Sequence, residues 1–219
     1  DNNFGQAYSY LAFTISHFVF LGFSKKPEDD IKNAKFYVEK ALDCDNRDSL
    51  AHEMLARIYS LSKNHDQAIE AAKKAIECNV NSSSAYMFYA SALTFANRCE
   101  EALEPIDQAI KLSPRDPRTF NFLMNKAMIV GEMGDLKLSV DLARKAVAIP
   151  QGDFRPALIL AIYCAKSGLL DEAQKAIERV LEIIPNFTLT KLKENFFSHF
   201  ETKLLDNYVL NLSKLDVPK

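Results

Sequence analysis

The feature that most constrains this chain is a period. Set against itself at an offset of 34, the sequence brings small residues into register: Ala68 lands on Ala102, and Asp66-Gln67-Ala68-Ile69-Glu70 is echoed by Glu100-Glu101-Ala102-Leu103-Glu104. Further on, Gly134 answers Gly168 and Ser139 answers Ala173 at the same offset. Between the two blocks the frame slips by three, because Ser139 lies 37 beyond Ala102. The first unit fits only in its second half, where Ala34, Ala41 and Leu42 stand 34 before Ala68, Ala75 and Ile76; an insertion of about ten residues around Gly22 to Pro27 displaces the rest. Self-similarity at such a period means a stack of identical supersecondary units, each burying its apolar face only against a neighbour.

Within each unit the apolar positions follow helical spacing in two blocks, so each unit is a pair of helices, A and B. Small residues recur where helices must approach closely: Ala56, Ala90, Ala127 and Ala161 on helix A, and Ala75, Ala109 and Ala146 on helix B. Pro114 and Pro185 close B helices, where a missing N–H does no harm. Pro105, inside a B helix, predicts a local kink or a late helix start.

On these residues the chain resembles the tetratricopeptide repeat family. The expected fold is all-α: a right-handed superhelical solenoid of about five repeats, near 5–48, 49–82, 83–116, 117–153 and 154–187, with capping helices over 188–219. Leu189, Leu192, Phe196 and Phe200, then Leu204, Leu205, Tyr208, Val209 and Leu212, keep helical spacing and predict two helices over the open end; docking of a partner by this aromatic tail, with Phe197, is the alternative.

The run Ser113-Pro114-Arg115-Asp116-Pro117, the lengthened helix after it and the ending Ile184-Pro185-Asn186-Phe187-Thr188-Leu189 are similar to the array C-terminal to the output domains of bacterial class III adenylate cyclases and winged-helix, toxin-regulator-type activators. That resemblance implies a regulatory piece of a larger bacterial signalling protein, with an output domain before Asp1 as one partner. The opening Asp1-Asn2-Asn3, without an initiator methionine, agrees with a fragment.

Catalytic and metal constellations are not found. Asp43-Cys44-Asp45-Asn46-Arg47-Asp48 begins like a calcium loop but has Arg47 and Asp48 where an acid or amide and then glycine are needed, and Met54 for the closing Glu. There is no glycine-rich phosphate loop or nucleophile elbow. Four cysteines without a CxxC spacing and four scattered histidines predict no zinc site; free thiols favour a reducing, cytoplasmic compartment. The 27 basic and 29 acidic residues nearly cancel, which argues against a nucleic-acid surface. Asn2 to Ser24 carries no charged side chain, yet Gln6, Ser9, Thr14, Ser16 and His17 interrupt the run, so it is read as an extended first helix rather than a membrane span. No cofactor and no enzymatic activity are expected.

The resemblance places function on the concave face, lined by helix A. Its inward positions here include Tyr10 and Phe13; Met54 and Arg57; Met87, Phe88 and Phe95; Met124, Asn125 and Met128; Arg155 and Ile159. Thioethers and aromatics suit adaptable contact with apolar partners, and as an open face they would form a patch of order 400 Å². Arg57, Asn125 and Arg155 are placed to orient a peptide carbonyl or carboxylate. In a tighter superhelix, or under a terminal helix, the same residues would instead touch each other. The carboxylate clamp of chaperone-tail receptors is absent, since its positions hold Ser9, Phe13, Met54, Ser84 and Phe88. The expected function is a non-catalytic scaffold holding a protein, peptide or attached domain, with homo-oligomerisation compatible; the alternative is a sensor enclosing a small apolar ligand, with Gly131 allowing its close approach.

Overall fold

The computed structural model describes residues 4–116, 118–150 and 152–218; Asp1, Asn2, Asn3 and Pro117, used above, lie outside them. The described residues form five antiparallel helix pairs: α1 (Phe4–Phe20) with α2 (Pro27–Cys44), α3 (Ser49–Leu61) with α4 (His65–Cys78), α5 (Ser83–Phe95) with α6 (Cys99–Leu112), α7 (Thr119–Glu132) with α8 (Leu136–Ala148), and α9 (Arg155–Lys166) with α10 (Leu170–Ile183). Consecutive pairs stack, and odd-numbered helices pack on one another along the inner face. The fold is an all-α right-handed superhelical solenoid.

The period survives as burial. Ala56, Ala90, Ala127 and Ala161 are at most 1% exposed, and Ala68, Ala102, Ser139 and Ala173 are fully buried. Ser139 is tolerated among alanines because its Oγ donates to the carbonyl of Ala127 at 2.7 Å, which satisfies the hydroxyl inside the core. The period also survives as handedness. Each turn from helix A to helix B contains one residue at positive φ: Gly22, Lys63, Asn97, Gly134 and Gly168. Caps repeat too: Asp48 accepts from Leu50 and Ala51 N–H, and Ser82 from Ala85 N–H, satisfying donors that the first turn leaves free.

Three sequence expectations are corrected here. Lys63 follows Gly22 by 41 residues, so the first-unit insertion is seven rather than about ten, divided between a longer turn and a longer α2. Pro105 sits inside a helix that already begins at Cys99, so the start is not delayed. Of the two capping helices predicted for the tail, only the second is full length. The tail makes a short turn α11 (Leu189–Lys191), a π-helical turn over Leu192–Phe196, and one full helix α12 (Thr202–Leu212) that packs on α9.

The tail's path matters most for function. Segment 192–201 bends back across the inner face instead of covering the end of the stack. Phe196 reaches the turn of the first unit, where a Cβ on Gly22 would stand 2.6 Å from its ring. Farther along, His65 Nε2 lies 3.4 Å from Glu201 Oε1, and Glu201 N–H donates to the Phe95 carbonyl at 3.1 Å. Helix α12 is then anchored by Tyr208, whose hydroxyl lies 2.9 Å from that of Tyr163; Tyr163 donates to Glu132 Oε1, which also accepts from Lys166 Nζ at 2.7 Å.

Candidate functional site

The inner faces of α1, α3, α5 and α7, the start of α9 and the returning tail enclose a cavity of about 630 Å³. Eleven of the twelve positions projected from the sequence line it: Tyr10, Phe13, Arg57, Met87, Phe88, Phe95, Met124, Asn125, Met128, Arg155 and Ile159. Met54 does not. It is fully buried against α1, where Ser16 Oγ approaches its sulfur at 3.8 Å, and it belongs to the core.

The broad open patch anticipated above is also corrected. Phe95, Met124, Met128 and Ile159 are 1–6% exposed, because the tail and neighbouring helices cover them. Open aromatic surface is confined to the N-terminal part of the face, where Tyr10 is 62% exposed and Phe13, Met87 and Phe88 are half-buried. Nor does Gly131 admit a ligand. A Cβ there would lie 2.2 Å from the Tyr163 ring and 2.7 Å from Ser139 Oγ, so this glycine makes room for the protein's own tyrosine.

Charge in the cavity is arranged pair by pair. Arg155 is held by Asp153 and reaches Asn121 Oδ1 at 3.2 Å. Arg118 pairs with Asp116 at 3.0 Å. Buried Glu53 accepts from Ser82 and Ser84 hydroxyls, both at 2.9 Å, and burial holds its carboxyl above the usual range. Arg57 differs. Its guanidinium carbon stands 5.1, 5.6 and 4.8 Å from the ring centroids of Phe13, Phe20 and Phe88, its Nη1 is buried without an acceptor, and burial pushes it down to about 9. Asn125 serves structure, accepting from Ser91 Oγ and donating to the Asn121 carbonyl.

Two histidines join the site: His17, at an inward position of the first helix A in the repeat register, and His199, which nothing in the sequence assigned to the groove. His17 stacks on Phe13 at 5.4 Å, and burial, then Arg57 and Arg155, lower it to about 4. His199 lies between Phe95 and Phe20, at 4.6 and 5.1 Å, with both ring nitrogens buried and unpartnered; burial first, then His65, takes it to about 3. Phe196, Phe197 and Phe200 complete the wall, each at most 5% exposed, so the aromatic tail spends its apolar surface on its own chain rather than on a partner. A return into the groove was signalled only by the density of phenylalanines in 196–200. Among the described residues no cluster of metal-ligating side chains occurs, and no helix is long and apolar enough to cross a membrane.

A solenoid of helix pairs with a lined inner groove is a tetratricopeptide-type fold. Residues 28–110 match the family described as anaphase-promoting complex, cyclosome, subunit 3. Among solved structures, the chain is similar to PilW, a widely conserved type IV pilus biogenesis factor, with a TM-score of 0.71 and 19% identity over 98% of this chain and 94% of that one. TTC0263, a thermophilic TPR protein of Thermus thermophilus, gives a TM-score of 0.66 and 18% identity over 91% and 99%. YrrB, described as a TPR protein with an unusual peptide-binding site, gives 0.51 and 15% over 76% and 86%. These likenesses establish the fold. No curated protein matches the chain.

Proposed function

We propose that the protein is an interaction scaffold that grips a short segment of a partner protein in the groove left open between α1, α3, α5 and the tail. The observation that carries this is the asymmetry of the inner face. Its C-terminal half is filled by Phe196, Phe197 and Phe200, while Tyr10, Phe13, Met87 and Phe88 keep accessible apolar surface beside polar groups. Aromatic and thioether surface of this kind suits a peptide or helix. The peptide-binding site named for YrrB supports the same class of partner. Regulation of an output domain in a larger bacterial protein, which the motifs at 113–117 and 184–189 imply, is the finer form of the proposal; four free thiols support a reducing, cytoplasmic setting.

The test is selection of binding peptides by the intact chain, followed by Met87→Glu and Phe88→Asp. Both side chains are partly accessible, so helix content should persist while binding falls at least about tenfold. Met124 is unsuitable, since a charge at a 5% exposed core position would unfold the protein. Undiminished binding by both variants would remove the groove from consideration.

A second reading has its own support: a cavity of about 630 Å³ lies within the size range of small-ligand pockets. Thermal stabilisation by a metabolite, with no peptide bound, would favour it.

A further inference from the structure

Among the described residues, the cavity holds one arginine that forms no ion pair with a carboxylate. Arg155 has Asp153, and Arg118 has Asp116. Arg57 has no carboxylate within ion-pair reach among the described residues. Its neighbours are three phenyl rings that also line the cavity, and its Nη1 is buried without an acceptor. The acid whose charge still acts on it is Glu53, one helical turn earlier on α3, in the i, i+4 relation that normally pairs side chains. Ser82 and Ser84 hold that carboxylate toward the start of α5 instead. A buried guanidinium without an anion is costly to maintain, and here it faces a cavity rather than packed core.

Resting on the interaction reading above, we propose that the partner's segment carries a carboxylate that seats on Arg57, with its adjoining apolar side chain against Phe13, Phe20 and Phe88. A guanidinium fork matches a carboxylate in shape and charge. A single uncompensated positive charge within largely aromatic walls favours a monoanion over a phosphate dianion. His17, with a buried and unpartnered Nδ1 at the same cavity, can add a neutral N–H donor without a second charge. The site differs from the chaperone-tail clamp: two of that clamp's positions, Phe13 and Phe88, are here the walls around the cation.

The test uses the full chain and three probes: an N-acetylated, C-amidated Leu-Glu-Phe-Leu peptide, its Leu-Gln-Phe-Leu counterpart, and 3-phenylpropionate. The glutamate peptide should bind about tenfold more tightly than the glutamine peptide, and this preference should vanish in Arg57→Met and persist in part in Arg57→Lys. In the unaltered protein, the ¹⁵N signal of Arg57 Nε should shift on adding the acidic peptide and not its amide, a readout independent of how the variants fold. Equal binding of the two peptides, a preference that survives Arg57→Met, or no binding of any probe at about 10 mM would overturn the proposal. Binding of 3-phenylpropionate as tight as that of the peptide would overturn the partner segment as the source. If library-selected peptides lose binding in Phe88→Asp but not in Arg57→Met, the carboxylate fails and the scaffold reading stands; if neither variant matters, the scaffold reading itself fails.

Discussion

The N–H of Glu201 donates to the carbonyl of Phe95 at 3.1 Å, which fixes the returning tail to the last residue of α5, halfway along the stack. Around this bond the Phe200 ring, 1% exposed, meets Phe95 and Phe197 at centroid distances of 4.7 Å each. Phe200→Ala should therefore cost about 3–5 kcal/mol of stability in urea unfolding and strip hydrogen-exchange protection from the Glu201 amide. Full protection at Glu201 in that variant would contradict the tail's dependence on this ring.

Gly131 faces the ring of Tyr163 too closely for any side chain. Alanine there gains helix propensity of about 1 kcal/mol but forces the buried tyrosine, and with it the contact to Tyr208, out of place. We expect Gly131→Ala to lower stability by about 3 kcal/mol, measured as a drop in denaturation midpoint at unchanged slope. Gly152→Ala, with nothing within 4 Å of the added carbon, is the matched control.

His199 is lowered to about 3 by burial, then by His65, Arg155 and Lys63, against an unfolded value near 6.5. A group held below its unfolded value binds protons more readily when unfolded, so its neutral form supports folding fully above pH 6.5, and that support is lost as pH falls toward 3. His199→Phe removes two unpartnered buried nitrogens and suits the surrounding rings. It should raise stability at pH 7 by about 1 kcal/mol and flatten the loss between pH 6.5 and 4, leaving the share due to His17 and His65. An unchanged pH slope would show that His199 does not carry it.

The A-to-B turns offer a test of backbone handedness alone. Lys63 adopts φ 59° where the first, fourth and fifth units use glycine, and Gly168 at φ 77° has open space around its missing Cβ. Gly168→Ala should cost about 1 kcal/mol and Lys63→Gly should gain a few tenths to about 1 kcal/mol, both read from chemical denaturation. The same sign for both substitutions would refute the argument.

The stack was legible because its determinants are local and repeated. Ala68, Ala102 and Ala173 are small for one geometric reason that recurs at each unit, and the same register pointed to the inner faces of the odd-numbered helices. The tail was not legible. Phe196 and Phe200 lie four apart and read as a helix face, yet their spacing says nothing about which distant surface receives them, and the π-helical turn before Phe197 has no marker in the sequence. Met54 was misplaced for a related reason: register assigns a face, but α1 packs over that part of it, with Ser16 against the sulfur. Arg57 was placed in the groove, while its lack of a partner depended on serines of the next unit drawing Glu53 away.

Stacked repeats ordinarily form by neighbour-to-neighbour zippering and fray from either end. Here Phe196 against Gly22, and His199 against Phe20, join the last segment to the first unit across nearly the whole sequence. This stitch must wait until the intervening units are in place, so it raises contact order, makes docking of the tail a late and slow folding event, and ties the melting of the first unit to that of the last.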